Sequence, residues 1–186
     1  MAYQLTSIQA METLFGVSLP EHIVKLRRLM NLGEWLQSHS LHIHFLDAPD
    51  IYGFDISLHM CKDYPEFLQR GMLIQEAGNA LMTLLGGRSV HPVGLQVGGF
   101  TKMPDEQKWQ QCLDLVEHAL PAAKLLVEWS AKLDLPDYSH DFVWVSLKGE
   151  NAYPINSGLI QSSNGLSLMS SEYPAHFKAV SYTHLR

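Results

Sequence analysis

The sequence predicts a predominantly α-helical α+β fold, in which long packed helices lead into a small β-rich C-terminal part. Two long stretches of helical apolar spacing, about Pro20–Leu46 and Pro65–Leu85, predict the helices. The β-prone run Phe142–Leu147 and the dipeptide Asn164-Gly165 predict the sheet. Strands and helices do not alternate regularly, which argues against a parallel sheet with crossover helices.

Leu5, Ile8, Met11, Leu14 and Phe15 fall at helical spacing, and Gly16 stands where a left-handed residue would end that helix. Ser18-Leu19-Pro20-Glu21 reads as a capping box with proline in the first turn. It opens a helix whose stripe is Ile23, Leu26, Leu29, Met30, Gly33 and Leu36. Asp47-Ala48-Pro49-Asp50 should break it near Leu46, because a residue before proline resists the α region. Its length would be roughly 35–40 Å at 1.5 Å per residue.

In the second long helix Gly71 and Gly78 lie seven residues apart on nearly one face, and Gly86-Gly87 ends it. Interior glycines cost helix stability, so this pair predicts close packing against a neighbouring helix. A third helical region runs from Asp105 to Leu133, with Pro121 as a kink or a new start, and Trp109, Leu113 and Val116 read as its core face. Val93–Val97 followed by Gly98-Gly99 reads as a short strand and turn.

With 186 residues, 46% hydrophobic and 17% charged, the chain is long enough for one domain with a core. A formal net charge of −6 and the lack of a basic run exclude a nucleic-acid surface, which needs clustered cations. No apolar stretch approaches the ~20 residues needed to span a bilayer. Met1–Ala10 has no secretory-signal pattern. A cytoplasmic location is the expectation. The two cysteines, Cys61 and Cys112, form no C-x-x-C pair, so no metal-ribbon or dithiol motif is present.

Histidine is abundant, at ten residues, and two clusters carry candidate chemistry. The densest polar cluster is Ser38-His39-Ser40-Leu41-His42-Ile43-His44, in which His39 and His42 stand at i and i+3 on one helix face, with Glu34 or Ser38 available to orient them. Metal ligation, proton transfer beside a metal site and a purely structural role are all open, since a metal site usually takes three or four ligands. Gly86-Gly87-Arg88-Ser89-Val90-His91-Pro92 brings a cation and an imidazole onto one loop. Such a loop suits an anion, a cluster or an interface, and equally a helix C-cap with a solvated arginine.

Taken together, several segments resemble one family. Ala2-Tyr3-Gln4-Leu5-Thr6-Ser7-Ile8-Gln9-Ala10-Met11-Glu12 is similar to the stretch following the N-terminal cysteine pair of nickel–iron hydrogenase large subunits. Leu36–His42 with Ala48-Pro49-Asp50 resembles that family's histidine-bearing helix. Gly86–Pro92 with Gly98-Gly99-Phe100 resembles its glycine loop, and Tyr153–Gly158, Gly165-Leu166 and Glu172-Tyr173 fit the same pattern. Tyr3-Gln4 points to the soluble NAD(P)-linked or sulfhydrogenase-like subgroup.

The resemblance implies a central fragment, residues 1–180, of a large-subunit domain, with 181–186 a tail foreign to the family. It implies a parent that interconverts dihydrogen with protons and electrons, and a small-subunit partner carrying iron–sulfur clusters. NAD(P)-reducing flavoprotein subunits are further partners of that kind. The family's nickel–iron centre is held by four cysteines in two C-x-x-C pairs, so the resemblance implies no intact catalytic set, no metal ligand and no cofactor in this chain alone. It makes Ser38, His39 and His42 neighbours of the metal ligands, and places Arg88 and His91 where the small subunit brings its nearest cluster. A non-catalytic relative, similar to the quinone-facing large subunit of respiratory complex I, and a freestanding helical interaction protein are the alternatives.

Overall fold

A computed structural model of the chain describes residues 1–149 and 153–177. Two compact units divide at Asp134 and Leu135. The first holds helices α1 (Ala2–Phe15), α2 (Glu21–Leu41), α3 (Ala48–Tyr52), α4 (Ser57–Met60), α5 (Pro65–Gly86) and α6 (Glu106–Ser130). It also holds a two-stranded hairpin, β1 (Leu95–Gln96) and β2 (Gly99–Phe100). The second holds a three-stranded antiparallel sheet in the order β3 (Val145–Lys148), β4 (Leu159–Ser162), β5 (Ser167–Leu168), then helix α7 (Tyr173–His176). The predominantly helical α+β class is therefore observed. Residues 178–186, including the expected tail at 181–186, lie outside the described residues.

The predicted helices are present, and the departures have local causes. Gly16 ends α1 in the left-handed conformation (φ 65°). Ser18 does not cap α2; Pro20 occupies the N-cap and its carbonyl accepts from the Ile23 and Val24 N–H groups. The expected break at Pro49 does not occur. Instead a π-helical turn, His42–Asp47, joins α2 to α3, and the helical path runs to Tyr52, where Gly53 stops it at φ 77°. The wider π turn relieves the clash between a proline ring and the carbonyl four residues earlier, and Pro49 falls in the first turn of α3, where its missing N–H has no partner to lose.

α6 is one helix with Pro121 inside it, and the Asp105 side chain caps it by accepting from the Lys108 N–H at 2.9 Å. Its buried face is Cys112, Ala119 and Ala122; of the expected face Val116 is half-buried and Trp109 and Leu113 remain 38% and 43% exposed, so the core seam lies about a third of a turn from the expected one. β3 starts at Val145 rather than Phe142, because β4 ends at Ser162, opposite Val145. Asn164-Gly165 forms the expected turn between β4 and β5, with Gly165 at φ 96°.

α2 and α5 pack antiparallel at backbone contact. A Cβ on Gly78 would lie 2.5 Å from the Gln37 nitrogen and 2.7 Å from the Gly33 carbonyl, and one on Gly33 would lie 2.7 Å from Leu81 Cβ. A Cβ on Gly71 would lie 2.5 Å from His44 Cγ. Two apolar clusters close the first unit. Ile23, Met30, Met82, Leu85 and Phe100 form one, and Ala48, Met60, Phe67 and Leu68 form the other. Trp129 of α6 covers the second, donating from Nε1 to the Tyr52 hydroxyl at 2.9 Å.

Met30 has no exposed surface, and its terminal Cε methyl faces Gly86. Met30→Ala should cost about 2–5 kcal/mol, read as a lower midpoint in chemical denaturation at unchanged slope.

Candidate functional site

The histidine-bearing segment is built by the π turn. In a regular α-helix residues five apart point to different sides, but the wider turn brings His42 Nδ1 within 2.8 Å of Asp47 Oδ2. His39 Nδ1 lies 2.9 Å from the Trp35 carbonyl, and its ring sits 5.9 Å from the Trp35 ring. Ser38, His39 and His42 stand exposed on the outer face of the helix. Neither Glu34 nor Ser38 orients the imidazoles; the Trp35 carbonyl and Asp47 do.

The inner face carries a group to which sequence reasoning gave no role of its own. His44 is 1% exposed, with Nδ1 3.0 Å from the Ser40 carbonyl and 3.3 Å from Ser40 Oγ. Ser40 Oγ donates to the Gly71 carbonyl at 2.6 Å, and the His44 ring packs 4.7 Å from Phe67. Burial pushes the His44 pKa below the usual histidine range, the Ser40 carbonyl opposes that, and the Arg70 charge adds to it. His44 is therefore held neutral. The available signal is position: His44 is four residues after Ser40, on the side of the helix opposite His39 and His42.

The loop after α5 is fixed by close approach rather than by length. Gly87 turns at φ 81°, and the Gly86 carbonyl accepts from both the Val93 and Gly94 N–H groups at 2.9 and 3.0 Å. A Cβ on Gly86 would meet Pro92 Cβ at 2.5 Å, and one on Gly94 would meet the Leu85 carbonyl at 2.6 Å. Gln4 of α1 donates to the Pro92 carbonyl at 2.9 Å. Arg88 and His91 stand exposed at the tip; Arg88 Nε donates to the His91 carbonyl, and His91 adopts φ 49°. The structure thus brings Arg88 and His91 together. It does not bring them to His39 and His42, which stand at the other end of α5, about 24 Å away for some 16 helical residues.

A buried ion pair locks this end of the unit. Arg27 donates from Nη1 and Nη2 to the two Glu12 oxygens, each at 2.7 Å, and Nη2 also reaches the Gln96 carbonyl at 3.0 Å. Glu12 Oε1 accepts from the Gly98 N–H at 2.8 Å. The Arg27 hydrogen bonds hold the Glu12 carboxyl below the usual carboxylate range; partial burial opposes this, and the Gly98 N–H adds to it. Nothing at sequence level singles out two charges fifteen residues apart.

Among the described residues no group of three or more His, Cys, Asp or Glu side chains could hold a metal ion. Cys61 is exposed after α4, and Cys112 is buried in α6, where burial pushes its thiol up. Two separate thiols of this kind do not fit a four-thiolate nickel–iron centre.

Comparison with known proteins connects this framework to a family. No family profile matches the chain. Among curated proteins, it is 32% identical over 133 residues to the alpha chain of sulfhydrogenase 2 from Pyrococcus furiosus, covering 72% of this chain and 31% of that one. It is 29% identical over 188 residues to the alpha chain of sulfhydrogenase 1 from the same organism, covering 98% of this chain and 43% of that one. The chain is a homologue of nickel–iron hydrogenase large subunits. A vhu-type F420-non-reducing hydrogenase chain of Methanocaldococcus jannaschii is 30% identical over 140 residues, 72% of this chain and 34% of that one. A crystal structure of NAD+-reducing [NiFe]-hydrogenase in the H2-reduced state shares the fold, with a TM-score of 0.76 at 24% identity over 91% of this chain and 42% of that one. The chain spans about a third to two fifths of the length of the curated relatives it matches.

Two pH windows separate the buried groups of this hydrogenase-like unit. Glu12 is depressed, so its contribution is present above about pH 4.5 and is lost as pH falls through its folded-state value. His44 is depressed as a base, so the unfolded chain binds its proton first. Stability then falls as pH drops below about 6.5. Denaturation midpoints measured from pH 8 to 3 should show both declines. His44→Leu should remove the upper one alone, and Glu12→Gln should cost about 3–5 kcal/mol at pH 7 by leaving Arg27 buried and unpaired.

Proposed function

We propose that this chain is the central part of a nickel–iron hydrogenase large subunit of the sulfhydrogenase-like kind. The parent enzyme oxidises dihydrogen reversibly and passes electrons to a small subunit bearing iron–sulfur clusters. The observation that carries this reading is the likeness of nearly the whole chain to the sulfhydrogenase 1 alpha chain, together with the shared helical framework. Residues 1–180 then form a partial large-subunit domain. The reading includes a cytoplasmic location and NAD(P)-reducing flavoprotein subunits as further partners; no helix among the described residues is long and apolar enough to cross a membrane.

Within this reading the chain's own residues have distinct parts. Ser38, His39 and His42 line the approach to the metal site without ligating it, the imidazoles being held by the Trp35 carbonyl and Asp47. Arg88 and His91 form the rigid tip that meets the small subunit beside its nearest cluster. Positive charge and hydrogen-bond donors near a cluster raise its potential. In a full-length parent, His91→Ala should lower that potential and slow turnover; both unchanged would refute the assignment. His39→Ala should reduce turnover at near-normal nickel content, whereas nickel lost in step with activity would instead indicate ligation or failed assembly.

The chain by itself carries neither thiolate pair, and imidazoles do not replace thiolates in such a centre. It should retain no tightly bound nickel after dialysis against chelator and show no hydrogen-dependent dye reduction. One retained nickel per chain together with dye reduction would overturn the fragment reading.

A further inference from the structure

Donors and acceptors around the histidine segment decide where each ring carries its proton. A peptide carbonyl and an ionised carboxylate only accept, so an imidazole nitrogen bonded to either must hold the hydrogen. His39 Nδ1 stands 2.9 Å from the Trp35 carbonyl, and His42 Nδ1 stands 2.8 Å from Asp47 Oδ2. Both rings are therefore Nδ1–H tautomers, and Nε2 is left as the acceptor on each. Both side chains are exposed, so these acceptors are open to proton exchange. His44 is the same tautomer, because Ser40 Oγ donates to the Gly71 carbonyl and can only accept from Nδ1. At 1% exposure it is shut off from solvent.

His39 is held by a residue four positions before it, and His42 by one five positions after it. The two rings are thus drawn apart along the helix, which suits two separate proton acceptors rather than a two-imidazole chelate. What holds them also differs. The Trp35 carbonyl is neutral backbone. Asp47 is a charged side chain, brought within reach of His42 by the π turn. A carboxylate on Nδ1–H fixes the tautomer and stabilises the imidazolium that forms when Nε2 takes up a proton.

We propose that Asp47 is a positioning residue for proton transfer. Through the π turn it holds His42 as the Nδ1–H tautomer, with Nε2 free to take a proton from hydronium or a dissolved acid. Uptake forms the Nε2–H bond and gives an imidazolium whose charge Asp47 offsets. Loss of that proton to water or a dissolved base restores the starting tautomer, and no electron moves at the pair. The inference deepens the hydrogenase reading and rests on it, because dihydrogen oxidation supplies the protons that this face would carry.

The test has two arms. In the 186-residue chain labelled with nitrogen-15, two-bond proton–nitrogen NMR spectra at about pH 9, where imidazole is neutral, report the tautomer of each ring. Spectra of His39→Ala and His42→Ala assign the signals. His42 should be mainly Nδ1–H. Asp47→Ala should move it mainly to the Nε2–H form that free imidazole side chains favour in water, at unchanged circular dichroism. His39 should stay Nδ1–H in both chains. In a full-length parent, Asp47→Ala should cut turnover roughly tenfold or more at near-normal nickel content. His42→Ala/Asp47→Ala should then be no slower than His42→Ala alone, since Asp47 acts through His42. A parent chain whose His42 is mainly Nε2–H would overturn the proposal, whatever the variants do. So would a His42 tautomer that ignores Asp47→Ala, unchanged turnover of that variant, or losses that multiply in the double variant. A full-length parent that turns over no dihydrogen would overturn the hydrogenase reading and this role with it, whatever the tautomers show.

Discussion

The first unit depends on the approach of α2 and α5 at Gly33, Gly71 and Gly78. At those points the two backbones, or a backbone and the His44 ring, occupy the space where a Cβ would stand. Glycine inside a helix costs roughly 1 kcal/mol relative to alanine, so three such residues are kept only because the contact requires them. Close approach lets Gln37 and Asn79 join side-chain amides across the helix pair, and it brings Met30 against Gly86. The loop bearing Arg88 and His91 grows from the far end of this contact, and the histidine segment from its near end.

The second constraint is electrostatic. Glu12, Arg27, the Gly98 N–H and the Gln96 carbonyl tie α1, α2 and the β1–β2 hairpin into one buried network. Burying an ion pair gains little over apolar packing, but breaking one is costly because the survivor is left unsolvated. The pair therefore fixes register. With the Gln4 bond to the Pro92 carbonyl, it anchors the surroundings of the Arg88 loop while the loop tip stays exposed. Arg88 and His91 stay exposed on that base, as the proposed contact with a small subunit requires.

Much of this is legible in the sequence because its causes are local. Gly16, Pro65, Gly87 and Asn164-Gly165 act through backbone geometry within a few residues, and each ends or turns its element where expected. Gly71 and Gly78 announce a close helix contact through their spacing alone. The rest depends on partners remote in sequence or on non-standard turns. The π turn has no composition signal, so Pro49 reads as a stop and His44 is hidden beside the more conspicuous His39 and His42. The Glu12–Arg27 pair and the choice between the two seams of α6 are decided by tertiary packing. Residues Trp109 and Leu113 look like core by periodicity, and only the position of α5 shows that they are not buried within this chain.

If the glycine contact organises the unit, a single methyl group at its centre should loosen both helices. Amide hydrogen exchange of the chain with and without Gly78→Ala tests this most directly. Alanine is the better helix former, so local propensity alone predicts slower exchange in α5. The close contact predicts the opposite: faster exchange through Gly33–His44 of the α2 segment, through Met72–Leu85 of α5 and in the Gly87–Gly94 loop, with the β4–β5 turn unchanged. Unchanged or slower exchange in α2 and α5 would contradict it.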